Sequence, residues 1–273
     1  YITATGGLTA LNPANGSVKW QIASDMPEVI GPDGVLYTKK SIGGIDHLVA
    51  LNPGNGATLW EQANPLGAGW DIDEIIFGSN SLLYVGTENN GALPGKVFAF
   101  NTLTRAMVWQ AALNNGDEEP NMTLGANGML YVTGDDKHWI YAFNAQTGVK
   151  VWEYAEPDEA ELETILVGSD GTVYAAGDDS PVIYGFNGQT GALTWKYHNG
   201  SPTEGPLNMD SNGTIFITQD HGRTINAIKT GSTTGLALSP WPKYLANAQN
   251  SAQSPLPNII QHPSDINATV GDN

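Results

Sequence analysis

Carboxylates are the chemistry-bearing residues of this chain: 28 Asp and Glu stand against 11 Lys and Arg, with no Cys. The densest clusters are Asp71-Ile-Asp73-Glu74 and Asp117-Glu118-Glu119, followed by the pairs Asp135-Asp136 and Asp178-Asp179. Oxygen ligands of this kind suit calcium, which makes Asp71, Asp73 and Glu74 the candidate metal ligands. Neither dense cluster has the spacing of a recognised calcium loop. Carboxylate pairs could also perform acid–base work on a glycan, with Trp70 or Trp139 stacking on the sugar. His47, His138 and His221 precede their next strands by unequal offsets, so no shared metal ring is expected. The absence of Cys excludes a disulfide framework, a thiolate metal site and a Cys nucleophile. A net charge of −17 argues against nucleic acid, because phosphate binding needs a basic face. No run of about 18 apolar residues exists, so no transmembrane segment is expected.

What positions these residues is an internal repeat. Tryptophans at Trp20, Trp60, Trp109, Trp152, Trp195 and Trp241 divide the 273 residues into six units. The segments ahead of the first five begin Ala10-Leu-Asn, Ala50-Leu-Asn, Ala99-Phe-Asn, Ala142-Phe-Asn and Gly185-Phe-Asn, and each small residue precedes its Trp by ten positions. The sixth, Ala227 to Trp241, is looser by four residues. A second phrase lies upstream of the later units: Gly34-Val-Leu-Tyr37, Ser81-Leu-Leu-Tyr84, Gly128-Met-Leu-Tyr131, Gly171-Thr-Val-Tyr174 and Gly213-Thr-Ile-Phe216. Short β-branched and aromatic runs opened by Asn, Asp, Ser and Gly turns are strand signals. An inner apolar run such as Glu74-Ile-Ile-Phe77 or Thr164-Ile-Leu-Val167 completes the unit.

Four strands per unit, at a period of about 40–45 residues, predict an all-β protein: a six-bladed β-propeller of four-stranded blades. Between the third and fourth strands, Asn and Thr bond nearby backbone while Gly supplies a left-handed position. Arg105 replaces that Gly in the third unit, so its turn should be strained or differently shaped. The Trp that follows should bury its ring between neighbouring blades, with a backbone acceptor for the indole N–H.

The phrase Ala-x-Asn-x-x-Thr-Gly-x-x-x-Trp resembles the tryptophan-docking motif of the quinoprotein-type (PQQ-like) propellers, over residues 1 to about 245. That superfamily includes the pyrroloquinoline quinone dehydrogenases and the propeller lipoprotein of the outer-membrane β-barrel assembly machinery. The scaffold hosts enzymes and binders alike, so the resemblance implies a fold before it implies a function. The dehydrogenases resemble eight-bladed rings with a vicinal Cys pair and a calcium held by Glu, Asn and Asp. Six units without Cys point instead to the non-enzymatic members, and no quinone cofactor is expected.

In such a unit the fourth-to-first and second-to-third loops emerge on one face, the top, and most acids fall there. They include Asp117, Glu118, Glu119, Asp135, Asp136, Asp178 and Asp179, with the off-register Trp70 and Trp139. A one-sided field of this kind attracts cations or basic partners. The expected function is therefore a non-catalytic, extracytoplasmic binding or scaffold module for a protein or glycan partner, with self-association open and calcium the one ion to consider. A polysaccharide lyase or hydrolase using loop carboxylates is the alternative. Tyr1 aligns with a second strand, so the first unit lacks its inner strand. Pro255 to Ile260 is expected to supply it by pairing with Tyr1–Thr5, closing a single domain of residues 1–260 ahead of a polar tail, 261–273. Beginning at Tyr1 rather than Met, the chain reads as a processed product or a fragment.

Overall fold

The computed structural model describes residues 1–4, 7–89, 93–113, 118–135, 138–157, 161–177, 180–219 and 224–243. Among them are 22 strands in six antiparallel sheets and no helix. Sheet one holds β1 (Ile2–Ala4), β2 (Gly7–Leu11) and β3 (Val18–Ile22). Sheet two holds β4 (Asp25–Ile30), β5 (Leu36–Ile42), β6 (Ile45–Leu51) and β7 (Thr58–Ala63). Sheet three holds β8 (Trp70–Phe77), β9 (Leu82–Asn89), β10 (Lys96–Asn101) and β11 (Ala106–Ala112). Sheet four holds β12 (Glu118–Leu124), β13 (Met129–Asp135), β14 (Trp139–Asn144) and β15 (Lys150–Ala155). Sheet five holds β16 (Thr164–Val167), β17 (Thr172–Ala176), β18 (Val182–Asn187) and β19 (Leu193–His198). Sheet six holds β20 (Glu204–Met209), β21 (Thr214–Gln219) and β22 (Thr224–Lys229). Each sheet is a meander in chain order, and the first strands β4, β8, β12, β16 and β20 pack side by side around an axis.

The turns between third and fourth strands form for local reasons. Asn144 Oδ1 accepts from the N–H groups of Gln146 and Thr147, and the Gly148 N–H donates to the Asn144 carbonyl at 2.8 Å. Gly148 can complete this because its φ of 70° costs a Cβ-free residue nothing. Arg105 takes the same place with φ 58° and the same 2.8 Å bond to the Asn101 carbonyl. The turn is thus strained but not reshaped. After it, a bulge falls opposite the small residue in five sheets, at Ala10, Ala50, Ala99, Ala142 and Gly185.

The core is the stack of second and third strands. Tyr37, Tyr84, Tyr131 and Tyr174 on the second strands and Ala50, Ala99 and Ala142 opposite them are at most 1% exposed. Across each of these sheets a Trp of the fourth strand lies over the Tyr ring, with centroids 5.6–5.9 Å apart. In sheets three and four both polar tips then converge on one carbonyl of the next sheet. Tyr84 Oη and Trp109 Nε1 donate to Ala145 O at 3.0 Å each, and Tyr131 and Trp152 share Gly188 O at 3.0 and 2.9 Å. Tyr1 and Trp20 do the same with Pro53 O. A carbonyl has two lone pairs, so one acceptor satisfies both donors. Trp109 and Trp152 are buried, while Trp20, Trp60 and Trp195 are half-buried.

The end sheets depart from six four-stranded units. Among the described residues, sheet one has no inner strand and sheet six has no fourth strand. Trp241, expected on that fourth strand, is instead 2% exposed at the bottom of the axis. Its carbonyl accepts from Leu124 N at 2.6 Å and Thr123 Oγ1 at 2.7 Å, and the Pro242 carbonyl accepts from Val167 N at 2.8 Å. The segment 235–243 therefore straps the ends of β12 and β16 together. Pro240 and Pro242 explain the departure: they flank Trp241 and have no N–H for a ladder. The expected closing strand, Pro255 to Ile260, and the tail 261–273 lie outside the described residues.

Candidate functional site

Where the first strands begin, on the top face, their polar residues converge on the axis. A cavity of about 300 Å³ opens there, walled by Glu74 of β8, Glu119 and Asn121 of β12, Glu163 and Thr164 at the head of β16, and Gly205 of β20. Each of these residues heads an apolar run that anchors its strand in the core, so the polar head is left at the mouth. Glu119 carries φ 44°, a left-handed conformation rare for a side chain of this size, at a bulge between Glu118 and Pro120. Its side chain is exposed at the cavity rim.

Several of these polar groups also stitch one sheet to the next. Asp46 Oδ2 accepts from Ile72 N at 2.9 Å, joining sheets two and three. Glu74 accepts from Met122 N, joining sheets three and four. Thr133 Oγ1 donates to Glu163 O at 2.8 Å, and Thr164 Oγ1 accepts from Leu207 N at 3.1 Å, continuing the series to sheet six. Lys39 Nζ sits 3.4 Å from Asp46 and draws the charge of Asp73 as well.

Crowding raises two carboxyls out of their usual range. Burial pushes Glu74 up to about 8, against the Met122 N–H, which favours the charged form. Burial and the neighbouring charge of Glu88 push Asp73 up to about 8 as well, with Lys39 opposing. Both carboxyls hold a proton near neutral pH. One oxygen of Asp73 is buried without a hydrogen-bond partner.

The other expected site residues fall variously. Trp70 opens β8 rather than a loop and is 7% exposed, with Lys96 Nζ 4.7 Å from its ring centroid. Trp139 is half-buried at the top of β14, tilted against His138 and in a stacked series with Tyr141 and Phe143 along that strand. Neither ring is freely presented, because each continues a strand whose alternate residues enter the core. Glu118 and Asp135 face each other in the β12–β13 register, while Asp117, Asp136, Asp178 and Asp179 lie outside the described residues. No group of three or more His, Asp or Glu among the described residues is arranged to hold a metal ion. Asp71, Asp73 and Glu74 are no exception: they follow one another along β8, and Glu74 reaches across to sheet four. Asn121 belongs to the cavity without standing in any acidic cluster of the sequence, whereas Glu163 closes the acidic run that begins at Glu156. Their signal is position, directly ahead of an inner apolar run.

Comparisons with known proteins follow this geometry. No curated protein sequence matches the chain. Solved structures do: BamB from Moraxella catarrhalis at 20% identity and TM-score 0.62, over 84% of this chain and 66% of that one. The Dos1 propeller matches at 11% identity and TM-score 0.61, over 82% and 62% of the respective chains. The WD40 β-propeller domain of Doa1 matches at 12% and 0.51, over 73% and 62%. The chain thus spans just under two thirds of each of these structures, which are propellers of differing sequence. A family model described as outer membrane protein assembly factor BamB matches residues 46–234, from the third strand of sheet two to beyond β22. With its PQQ-like repeats and its all-β sheets in sequence order, the chain belongs to the BamB-like family of PQQ-repeat propellers.

Proposed function

We propose that this protein is a non-catalytic binding and scaffold module that works outside the cytoplasm and holds a protein partner at the acid-lined mouth of its axis. The observation that carries this reading is the top-face cavity, where the Glu119 and Glu163 carboxylates meet from two different sheets beside the neutral Glu74. A partner presenting Lys or Arg side chains fits such a mouth, since a concave wall of one charge sign concentrates the opposite charge. Family membership supports the assignment, because the family's own description is that of an outer-membrane assembly factor rather than an enzyme. Extracytoplasmic placement rests on the same description. The polysaccharide-active alternative is less well supported: of the two rings that could stack on a sugar, Trp70 is covered by Lys96 and Trp139 is half-buried.

The test is site-specific photo-crosslinking in the native host. A photoreactive residue at Glu119 or Glu163 should capture one and the same protein, and capture should fall when Glu119 and Glu163 are changed together to Gln. A photoreactive residue at Asn15, in a turn of the opposite face, is the control. Capture from Asn15 alone would overturn the assignment of the face.

A further inference from the structure

Asn-Gly pairs recur along the chain, and six of them lie in the described residues, with Asn at 15, 55, 127, 187, 199 and 212. Five are locked by their turns, because the glycine N–H donates to a backbone carbonyl. Gly16 bonds to Asn12 and Gly56 to Asn52 at 2.8 Å, Gly128 to Gly125 at 3.3 Å, Gly188 to Gly171 at 3.1 Å and Gly213 to Asp210 at 3.2 Å. In four of these the Asn side chain is tied to its own turn as well, Oδ1 accepting from the N–H of Ser17, Ala57, Met129 or Gln189, two residues on. Asn199 is unlike them. It follows β19 in the loop that leads to sheet six. Gly200 behind it is exposed, with φ 85°, and its N–H takes part in no hydrogen bond among the described residues. The Asn199 side chain reaches across to sheet six instead, where its Oδ1 accepts from Asn226 Nδ2 at 3.2 Å. Its Nδ2 is buried without a hydrogen-bond partner.

We propose that Asn199 is a modification site: it deamidates by itself, to aspartate and isoaspartate, ahead of the other five. The Gly200 nitrogen, having lost its proton to solvent, attacks Asn199 Cγ. A bond forms between that nitrogen and Cγ, the Cγ–Nδ2 bond breaks, and ammonia leaves with a proton returned by water. Water then opens the succinimide at one carbonyl to give aspartate, or at the other to give isoaspartate. Three features of the site favour these steps. The attacking nitrogen has no hydrogen bond to give up. Asn226 Nδ2 donates to the oxygen on which negative charge develops. The departing nitrogen has no partner in its buried place, so its loss breaks no hydrogen bond. The consequence is mechanical. Gln219 Nε2 donates among the carbonyls of Asn199, Ser201 and Pro202, which fastens this loop to sheet six. An isoaspartate puts an extra methylene into the backbone between positions 199 and 200. That carries Ser201 and Pro202 away from Gln219 and loosens the joint between sheets five and six.

The test uses the full, unaltered chain. The purified protein is held in mildly alkaline buffer, sampled over days, digested and mapped by mass spectrometry, with isoaspartate scored by methyltransferase labelling. Conversion at Asn199 should lead conversion at Asn15, Asn55, Asn127, Asn187 and Asn212 by at least about fivefold, since each of those must first break a hydrogen bond at its glycine N–H. The same incubation in concentrated urea removes the structure, and there the six rates should draw together. Asn226→Ala should slow conversion at Asn199 in the folded protein and leave it unchanged in urea. Protein enriched in the converted form should melt at a lower temperature than fresh protein. A lead by any of the other five in the folded protein overturns the proposal. So does a lead of Asn199 that is as large in urea as in buffer. A folded-state rate untouched by Asn226→Ala overturns the role given to that donor, and an unchanged melting temperature overturns the loosening of the joint.

Discussion

Asp73 and Glu74 make the stability of this protein depend on pH in an unusual direction. An ordinary paired carboxylate stabilises the fold once ionised. These two have folded values near 8, against 3.8 and 4.5 for the free groups. Between those limits the folded protein holds protons that the unfolded chain releases, so stability falls as pH rises from about 4.5 to 8. The melting temperature should therefore rise on acidification from pH 8 to pH 6, and Glu74→Gln should flatten that slope while keeping an acceptor for Met122 N. A melting temperature that rises with pH over this range would contradict both assignments. Lys243, fully buried and lowered to about 8, does not interfere, because its effect lies between 8 and its free value of 10.5. Arg105 offers a second residue-level test. It occupies a left-handed turn position filled by Gly in four equivalent turns, so Arg105→Gly should stabilise by about 0.5–1 kcal/mol in urea unfolding.

At the scale of elements, neighbouring sheets are held by rings seated on glycines. A Cβ at Gly191 would stand 2.7 Å from the Trp152 ring, and one at Gly148 would stand 2.5 Å from Trp109. These glycines are thus needed twice, for φ and for close approach. Trp152→Ala should cost about 3–5 kcal/mol through lost contacts and the cavity left behind. The strap 235–243 makes a different prediction. Trp241→Ala should lower the melting temperature to a similar degree, although it touches no repeat seat, because its ring joins the cluster of inner-strand side chains. If Trp241→Ala melts like the unaltered protein, the strap is not holding the inner strands.

The whole molecule presents two unlike surfaces. The top mouth gathers carboxylates from several sheets, while the bottom is a set of Asn- and Gly-built turns with backbone-satisfied polar groups. The proposed association at the mouth would be long-range and electrostatic, so it should weaken as salt shortens the screening length to about 8–10 Å. Partner capture through Glu119 and Glu163 should decline steadily between low and physiological salt.

Local interactions account for what the sequence determined by itself. The Asn turns, the left-handed Gly and Arg105 positions, the strand order and the register that sets each Trp opposite a small residue ten positions earlier all depend on hydrogen bonds and sterics spanning a dozen residues or fewer. Such features repeat wherever the phrase repeats, so they are legible without a fold. The expectation of an acidic top face rests on the same reasoning, from loops assigned to one end of a repeating unit. Tertiary structure alone decided which of its carboxylates matter. Glu74 and Asp46 turned out to bridge sheets 26 to 48 residues apart, and their value lies in a partner N–H that no local pattern encodes. It also decided the fate of Trp70, covered by Lys96 from another strand, and of Trp241, released from the repeat by its flanking prolines and captured by β12 more than a hundred residues earlier. Burial and pairing between distant segments depend on where the whole chain brings them, and that is set by the packing of six sheets together rather than by any one of their sequences.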